Sequence, residues 1–161
     1  MKAIATVFYI GYLRPAPGTW GSLAALPMAW ALHALGGFAL LAAATALVFV
    51  LGYYSTRSLT RDSLDHDPAY IVVDEVVGQW ISLFPVSYGA IFMSVDITRL
   101  WPGWIAAFVL FRLFDIWKPW LVGRADRMGT PMGVMLDDVI AGVFAAVVAS
   151  LLAALAHGVL I

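Results

Sequence analysis

Between Arg14 and Arg57 the chain carries no acidic or basic residue, and apart from tyrosines its only titratable side chain there is His33. A membrane span needs roughly 20 apolar residues at about 1.5 Å rise each, so this stretch has length for two helices. Gly36-Gly37 is the natural break between them. The pattern predicts a first helix over 22–35 and a second over 38–58. Ser22, after the run Gly18-Thr19-Trp20-Gly21, is the expected N-cap. The first helix is short for a full crossing, so it either spans with tilt or is re-entrant.

The polar stretch 56–69 then interrupts the apolar pattern. A third helix is expected over 71–84, with Pro85 as its stop. Residues 86–103 read as a connection, 104–117 as a fourth helix ending at Lys118-Pro119, and 121–135 as a loop. A fifth helix over 136–156 has no charge after Asp138. The expected fold is all-α: a compact membrane-embedded bundle of about five helices, at least three spanning, within one domain over 1–161.

Composition strengthens the membrane reading. The chain is 63% hydrophobic and 12% charged, with mean hydropathy +0.91, where a soluble domain carries about 25% charged residues. A net charge of −1 gives no reason to expect nucleic acid. With no cysteine there is no disulfide framework, thiolate nucleophile or Cys-ligated zinc. The N-terminus lacks the pattern of a cleaved secretory signal.

Charge also orients the bundle. With the N-terminus inside, Lys2, Arg14, Arg57, Arg61, Lys118, Arg124 and Arg127 fall at the inner edge, Arg112 in the inner half of the fourth helix, and Arg99 alone outside. Tyr53, Tyr54, Tyr70, Trp117 and Trp120 then lie at the inner interface, and Tyr88, Trp101 and Trp104 at the outer one. Anchoring and packing account for these aromatics. The same topology puts every acidic residue except Asp96 on the inner side. Acidic residues hardly determine topology, so their gathering needs its own cause.

Two stretches match: "VVDEVVG" at 72–78 and "MLDDVIAG" at 135–142. Each has an acid pair opening an apolar helix, with a glycine four residues after one acid: Asp74 to Gly78, and Asp138 to Gly142. That spacing is one face, one turn on, and the glycine leaves room for a helix or ligand to approach. Dipole complementation accounts for one acid per helix but poorly for two adjacent acids, twice. In "FRLFDIWKPW" at 111–120, Arg112, Asp115 and Lys118 recur every three residues, as a salt-bridge ladder or as a third carboxylate flanked by cations. Carboxylates and cations at a membrane edge suit headgroup chemistry, with hard oxygen ligands fitting Mg²⁺ and the cations fitting phosphate. "RPAPGTWGS" at 14–22 offers glycines for close backbone approach and the hydroxyls of Thr19 and Ser22; a turn and cap are the plainer reading. His33 and His157 read as packed or interfacial, and His66 as a solvated loop residue that can assist proton transfer.

Taken together, "APGTWGSLAALP" (16–27), "IVVDEVVGQWI" (71–81), "FRLFDIWKPW" (111–120), "DR" (126–127) and "MGVMLDDVIAG" (132–142) resemble the phosphatidylglycerophosphatase A family, over nearly the whole chain. The resemblance implies a Mg²⁺-dependent enzyme of the bacterial inner membrane, with its active site facing the cytoplasm. Its reaction would remove the terminal phosphate of phosphatidylglycerophosphate, giving phosphatidylglycerol. It also implies a lipid substrate in the bilayer, with no nucleic acid and no obligate protein partner. Carried over residue by residue, it implies Asp74, Glu75, Asp137 and Asp138 as metal ligands, direct or through water, and Asp115 as a further ligand or the group orienting the attacking water. Asp74 and Asp115 are the expected catalytic acids. Arg112, Lys118 and Arg127 would bind phosphate, and Thr19 and Ser22 would line the headgroup pocket. Where family members often carry paired glycines before the last motif, this chain has Thr130-Pro131.

Rival classes leave weaker traces. The P-S-G-H run of one lipid phosphatase class is absent, as is the D-G-x-x-A-R signature of CDP-alcohol phosphotransferases. Asp65-His66-Asp67 is a D-x-D match without a preceding apolar strand. A small ion or proton transporter would place its acids near the midplane, open to both sides. A structural membrane protein would leave so many interfacial acids unexplained. Another Mg²⁺-dependent headgroup enzyme is the remaining alternative.

Overall fold

In a computed structural model the described residues are 1–61, 63, 65 and 67–159, with side chains described as far as 156. The expectations for Asp62 and His66, and for the side chain of His157, fall outside them. Among the described residues the fold is all-helical. A short helix α1 (Lys2–Ala5) and a 3-10 turn (Ile10–Tyr12) lead into the long α2 (Pro17–Thr60). Then come α3 (Val73–Ser82), α4 (Phe84–Phe92), a 3-10 turn (Ile97–Leu100), α5 (Trp101–Trp117), α6 (Leu121–Asp126) and α7 (Pro131–Val159). Three segments are long and apolar enough to cross a membrane: Pro17–Thr60, Ile97–Trp117 and Pro131–Ala156.

The break in α2 lies where the glycine pair predicts it. Gly36 (φ −158°, ψ 18°) and Gly37 (φ 63°, ψ −155°) leave helical geometry, and Gly37 occupies a region open essentially to glycine alone. The two limbs of α2, each about 20 residues, are each long enough to cross about 30 Å of hydrocarbon. Ser22 is not the N-cap. The helix begins at Pro17, whose fixed φ and missing N–H suit a first turn, and Ser22 lies fully buried inside it.

Three other boundaries move for identifiable reasons. Pro85 does not end helical structure: it sits in the first turn of α4, so 86–92 is helix rather than connection. Pro102 likewise opens α5 three residues before the expected start. The region 121–135 holds α6 and the first turn of α7. Thr130 caps α7 by accepting the backbone N–H of Gly133 at 3.1 Å, so Asp137 and Asp138 lie in its second turn and do not open it.

Helix α3 is the axis of the bundle, packed between α2 and α7. All but two of its residues are buried, Trp80 among them, and the Trp80 indole N–H donates to the Ala25 carbonyl at 2.9 Å. Helix α2 approaches it with a row of small residues four apart, Gly21, Ala25 and Ala29, while Ala141 and Ala145 on α7 form a second such pair that packs with Phe111 of α5. In lipid, where hydrophobic burial cannot drive association, such rows let helices gain dispersion contact. The closest approach is glycine on glycine. A Cβ on Gly142 would lie 2.4 Å from the Gly78 carbonyl oxygen, and one on Gly78 would lie 2.6 Å from the Asp138 carbonyl oxygen and 2.4 Å from the Phe111 ring.

Candidate active site

The contact between Gly78 and Gly142 brings the two acid pairs to the same end of the bundle. Both pairs are built alike. The first acid turns back to accept the next residue's backbone N–H: Asp74 Oδ1 from Glu75, and Asp137 Oδ1 from Asp138, each at 3.0 Å. The second acids, Glu75 and Asp138, then converge with Asp115 of α5, and each offers a carboxylate oxygen within 4.8 Å of the others. Asp74, Asp115, Asp137 and Asp138 are all buried.

Arg112 is the cation of this inner group. Its Nη1 bonds Glu75 and lies 2.8 Å from Asp115 Oδ2, one turn along α5. Ser22 completes the contact, donating to Glu75 Oε2 at 3.0 Å, with Arg112 Nη1 3.4 Å from its hydroxyl oxygen. Gly18 is what lets α2 approach, because a Cβ there would stand 1.9 Å from Glu75 Oε1. The sequence pattern marks Ser22 as a cap and pocket hydroxyl; the fold makes it a support for Glu75.

Three carboxylates against one guanidinium leave two negative charges uncompensated in the inner group. Asp138 Oδ1 is buried and has no hydrogen-bond partner among the described residues. A buried carboxylate in that state is strongly unfavourable unless a cation meets it. An all-oxygen donor set with an orphaned carboxylate oxygen fits a hard divalent cation. The cluster can therefore bind a metal ion.

Lys118 belongs to an outer group. It ends α5 in a left-handed conformation (φ 50°, ψ 52°) and places its Nζ 2.7 Å from Asp137 Oδ2 and 2.6 Å from Asp126 Oδ1. Burial alone would lower its pKa, but the hydrogen bonds and charges of Asp126 and Asp137 outweigh that and hold it above the ordinary lysine value. It stays an ammonium. Asp126 is the partner that residue spacing along α5 does not reveal, since it arrives from the end of α6.

The remaining expected residues stand at the margin. Thr19 is half-buried beside Gly18, and its hydroxyl makes no hydrogen bond among the described residues. Arg127 is exposed at the C-cap of α6 and forms no ion pair among them. His33 lies apart from the acids, its Nδ1 2.8 Å from the Ser87 hydroxyl, in keeping with a packed histidine.

Comparison with known proteins gives the family. A family model described as Phosphatidylglycerophosphatase A matches residues 3–153. Phosphatidylglycerophosphatase A of Haemophilus influenzae is 38% identical over 146 residues, covering 90% of this chain and 83% of the relative. Its namesake from Escherichia coli is 37% identical over 145 residues, covering 89% and 77%. A putative phosphatidylinositol-3-phosphatase of Bacteroides thetaiotaomicron is 40% identical over 145 residues, covering 88% and 86%. No solved structure matches the chain. With the motifs gathered at one end of a bundle of spanning-length helices, and the family match running along almost its whole length, the chain belongs to the phosphatidylglycerophosphatase A family.

Proposed function

We propose that this protein is a Mg²⁺-dependent phosphatase that hydrolyses the terminal phosphomonoester of phosphatidylglycerophosphate, releasing phosphatidylglycerol and inorganic phosphate. The reading rests on one observation above all: Glu75, Asp115 and Asp138 converge beside Arg112 with one buried carboxylate oxygen left unpartnered. The two relatives that carry the name of this activity support the substrate.

Glu75, Asp115 and Asp138 would hold the ion directly, with Asp74 and Asp137 behind them as orienting acids. Three carboxylates that each offer an oxygen within 4.8 Å of the others form an all-oxygen donor set that would suit a hard divalent ion. The bound ion supplies charge neutralisation and a more acidic water for in-line phosphoryl transfer. Arg112 uses only Nη1 in its contacts with Glu75, Asp115 and Ser22, and its Nε is buried, so Nη2 is the donor that would meet a phosphoryl oxygen. Lys118 has one N–H left after Asp126 and Asp137, and Arg127 stands exposed at the margin. Asp115, within the inner group, would orient the attacking water and take up its proton, with Asp74 as a supporting acid behind Glu75. The positive-inside rule supports a cytoplasmic site in the inner membrane.

Phosphate release from phosphatidylglycerophosphate in vesicles, with Mg²⁺ and with excess chelator, tests this. Release with Mg²⁺ that chelation abolishes is expected. Release that survives chelation would remove the metal from the reading. Turnover of a phosphoinositide monoester alone would transfer the chain to the activity for which its Bacteroides relative is named.

A further inference from the structure

The first 13 residues lie outside the acid site, yet they form an ordered and strained piece of structure. Val7, Phe8 and Tyr9 in succession have positive φ (48°, 51° and 71°), a conformation that bulky and β-branched residues adopt only when their surroundings impose it. The surroundings are visible. Thr6 is fully buried; its hydroxyl accepts the Tyr9 N–H at 3.0 Å, and its carbonyl accepts the Gly11 N–H at 3.0 Å. The Ala5 carbonyl accepts the Val72 N–H at 2.9 Å, and Gly11 packs so closely on the Tyr70 carbonyl that no side chain would fit.

This turn drives apolar side chains outward instead of burying them. Phe8 is 78% exposed and Tyr9 59%, with Ile4, Tyr12 and Leu13 also exposed. Lys2 stands over the Tyr12 ring, which stacks in turn on Tyr9 and Tyr70. The chain enters the spanning helix α2 at Pro17, so the segment lies at that helix's membrane edge. Trp117 and Trp120, at and just beyond the end of α5 that carries Asp115, are also exposed, and with Lys2 and Arg14 they complete the aromatic and basic composition of an interfacial belt.

We propose that residues 1–13 form a lipid-engaging foot, in which Ile4, Phe8, Tyr9 and Leu13 enter the headgroup–acyl boundary of the leaflet at the acid end of the bundle. The foot grips residues 70–72, and Asp74 and Glu75 follow within one turn. The site is thereby held at headgroup depth from two sides, by the foot and by the spanning helices. This second role rests on the phosphatase reading; lipid insertion itself does not.

The absence of cysteine makes the test direct. Single-cysteine variants Phe8→Cys, Val109→Cys (mid-span on α5) and Asp65→Cys (exposed loop) are spin-labelled in phospholipid vesicles. Collisions with oxygen and with a water-soluble nickel complex then report depth. The label at position 8 is expected to be shielded from nickel and open to oxygen, between the values for 109 and 65. A label at position 8 as open to nickel as that at 65 overturns the foot. In the second arm, the double change Phe8→Ser, Tyr9→Ser should raise KM several-fold for lipid substrate in vesicles and leave turnover of a short-chain soluble analogue unchanged. An unchanged vesicle KM removes the link to the site. If wild-type protein releases no phosphate, the phosphatase reading fails, while the depth measurement still decides the foot.

Discussion

At the scale of residues, the five acids that look equivalent along the chain separate into two kinds. Glu75, Asp115 and Asp138 share an inner group; Asp74 and Asp137 are tied to backbone N–H groups, and Asp137 to Lys118 as well. The difference predicts unequal costs. Asp138→Asn should lower phosphate release by about 10³-fold or more, because it removes a group that no neighbour can replace. Asp137→Asn should cost about 10–100-fold, as expected for a supporting residue. Mn²⁺ binding followed by paramagnetic resonance should show affinity largely lost in the first variant and retained with moderate weakening in the second. Equal losses in both would erase the division. The acids and Arg112 stand out in the sequence through the two adjacent acid pairs and the three-residue recurrence along 111–120, while the roles expected for them come from the family resemblance. Ser22 as a partner of Glu75, and Asp126 as a partner of Lys118, are not legible there: they are separated by 53 and 8 residues, and the chain path between them is set by tertiary packing.

At the scale of elements, hydropathy marks the spanning helices well, because lipid forces every backbone group to be satisfied inside the segment. The glycine pair marks the break in α2, where Gly37 takes a backbone conformation that only glycine fits. Hydropathy misses α4, α6 and the N-terminal turn. Pro85 reads as a stop, yet a proline that ends one helix is equally suited to begin the next, and no periodicity separates the cases. The matched glycines are the clearest success at this scale. Their spacing predicts close approach, and α3 meets α7 there backbone to backbone. Gly142→Ala should therefore be costly out of proportion to its size. The added methyl meets a carbonyl oxygen rather than a flexible side-chain tip, so a loss of about 1–3 kcal/mol is expected, read as a lowered unfolding midpoint in detergent. Gly129→Ala, at a surface position with open space around it, carries only the strain of its positive φ and should cost less.

At the scale of the whole molecule, the glycine contact is a pivot with very unequal arms. Glu75 and Asp138 lie three and four residues from it, roughly 5–6 Å along their helices, while the far end of α7 lies about 25 Å away. A bilayer that is too thick or too thin is accommodated partly by helix tilt. A tilt of about 10° between α3 and α7 would carry the far end of α7 by about 4 Å but would shift the carboxylates by only about 1 Å. Turnover should thus vary less than about threefold across vesicles whose acyl chains differ by several carbons, measured at equal surface concentration of substrate. A steep optimum in chain length would mean that the helices do not turn about the glycines. Placed this way, the crossing insulates the spacing of the Glu75 and Asp138 carboxylates from the mechanics of the membrane that holds them.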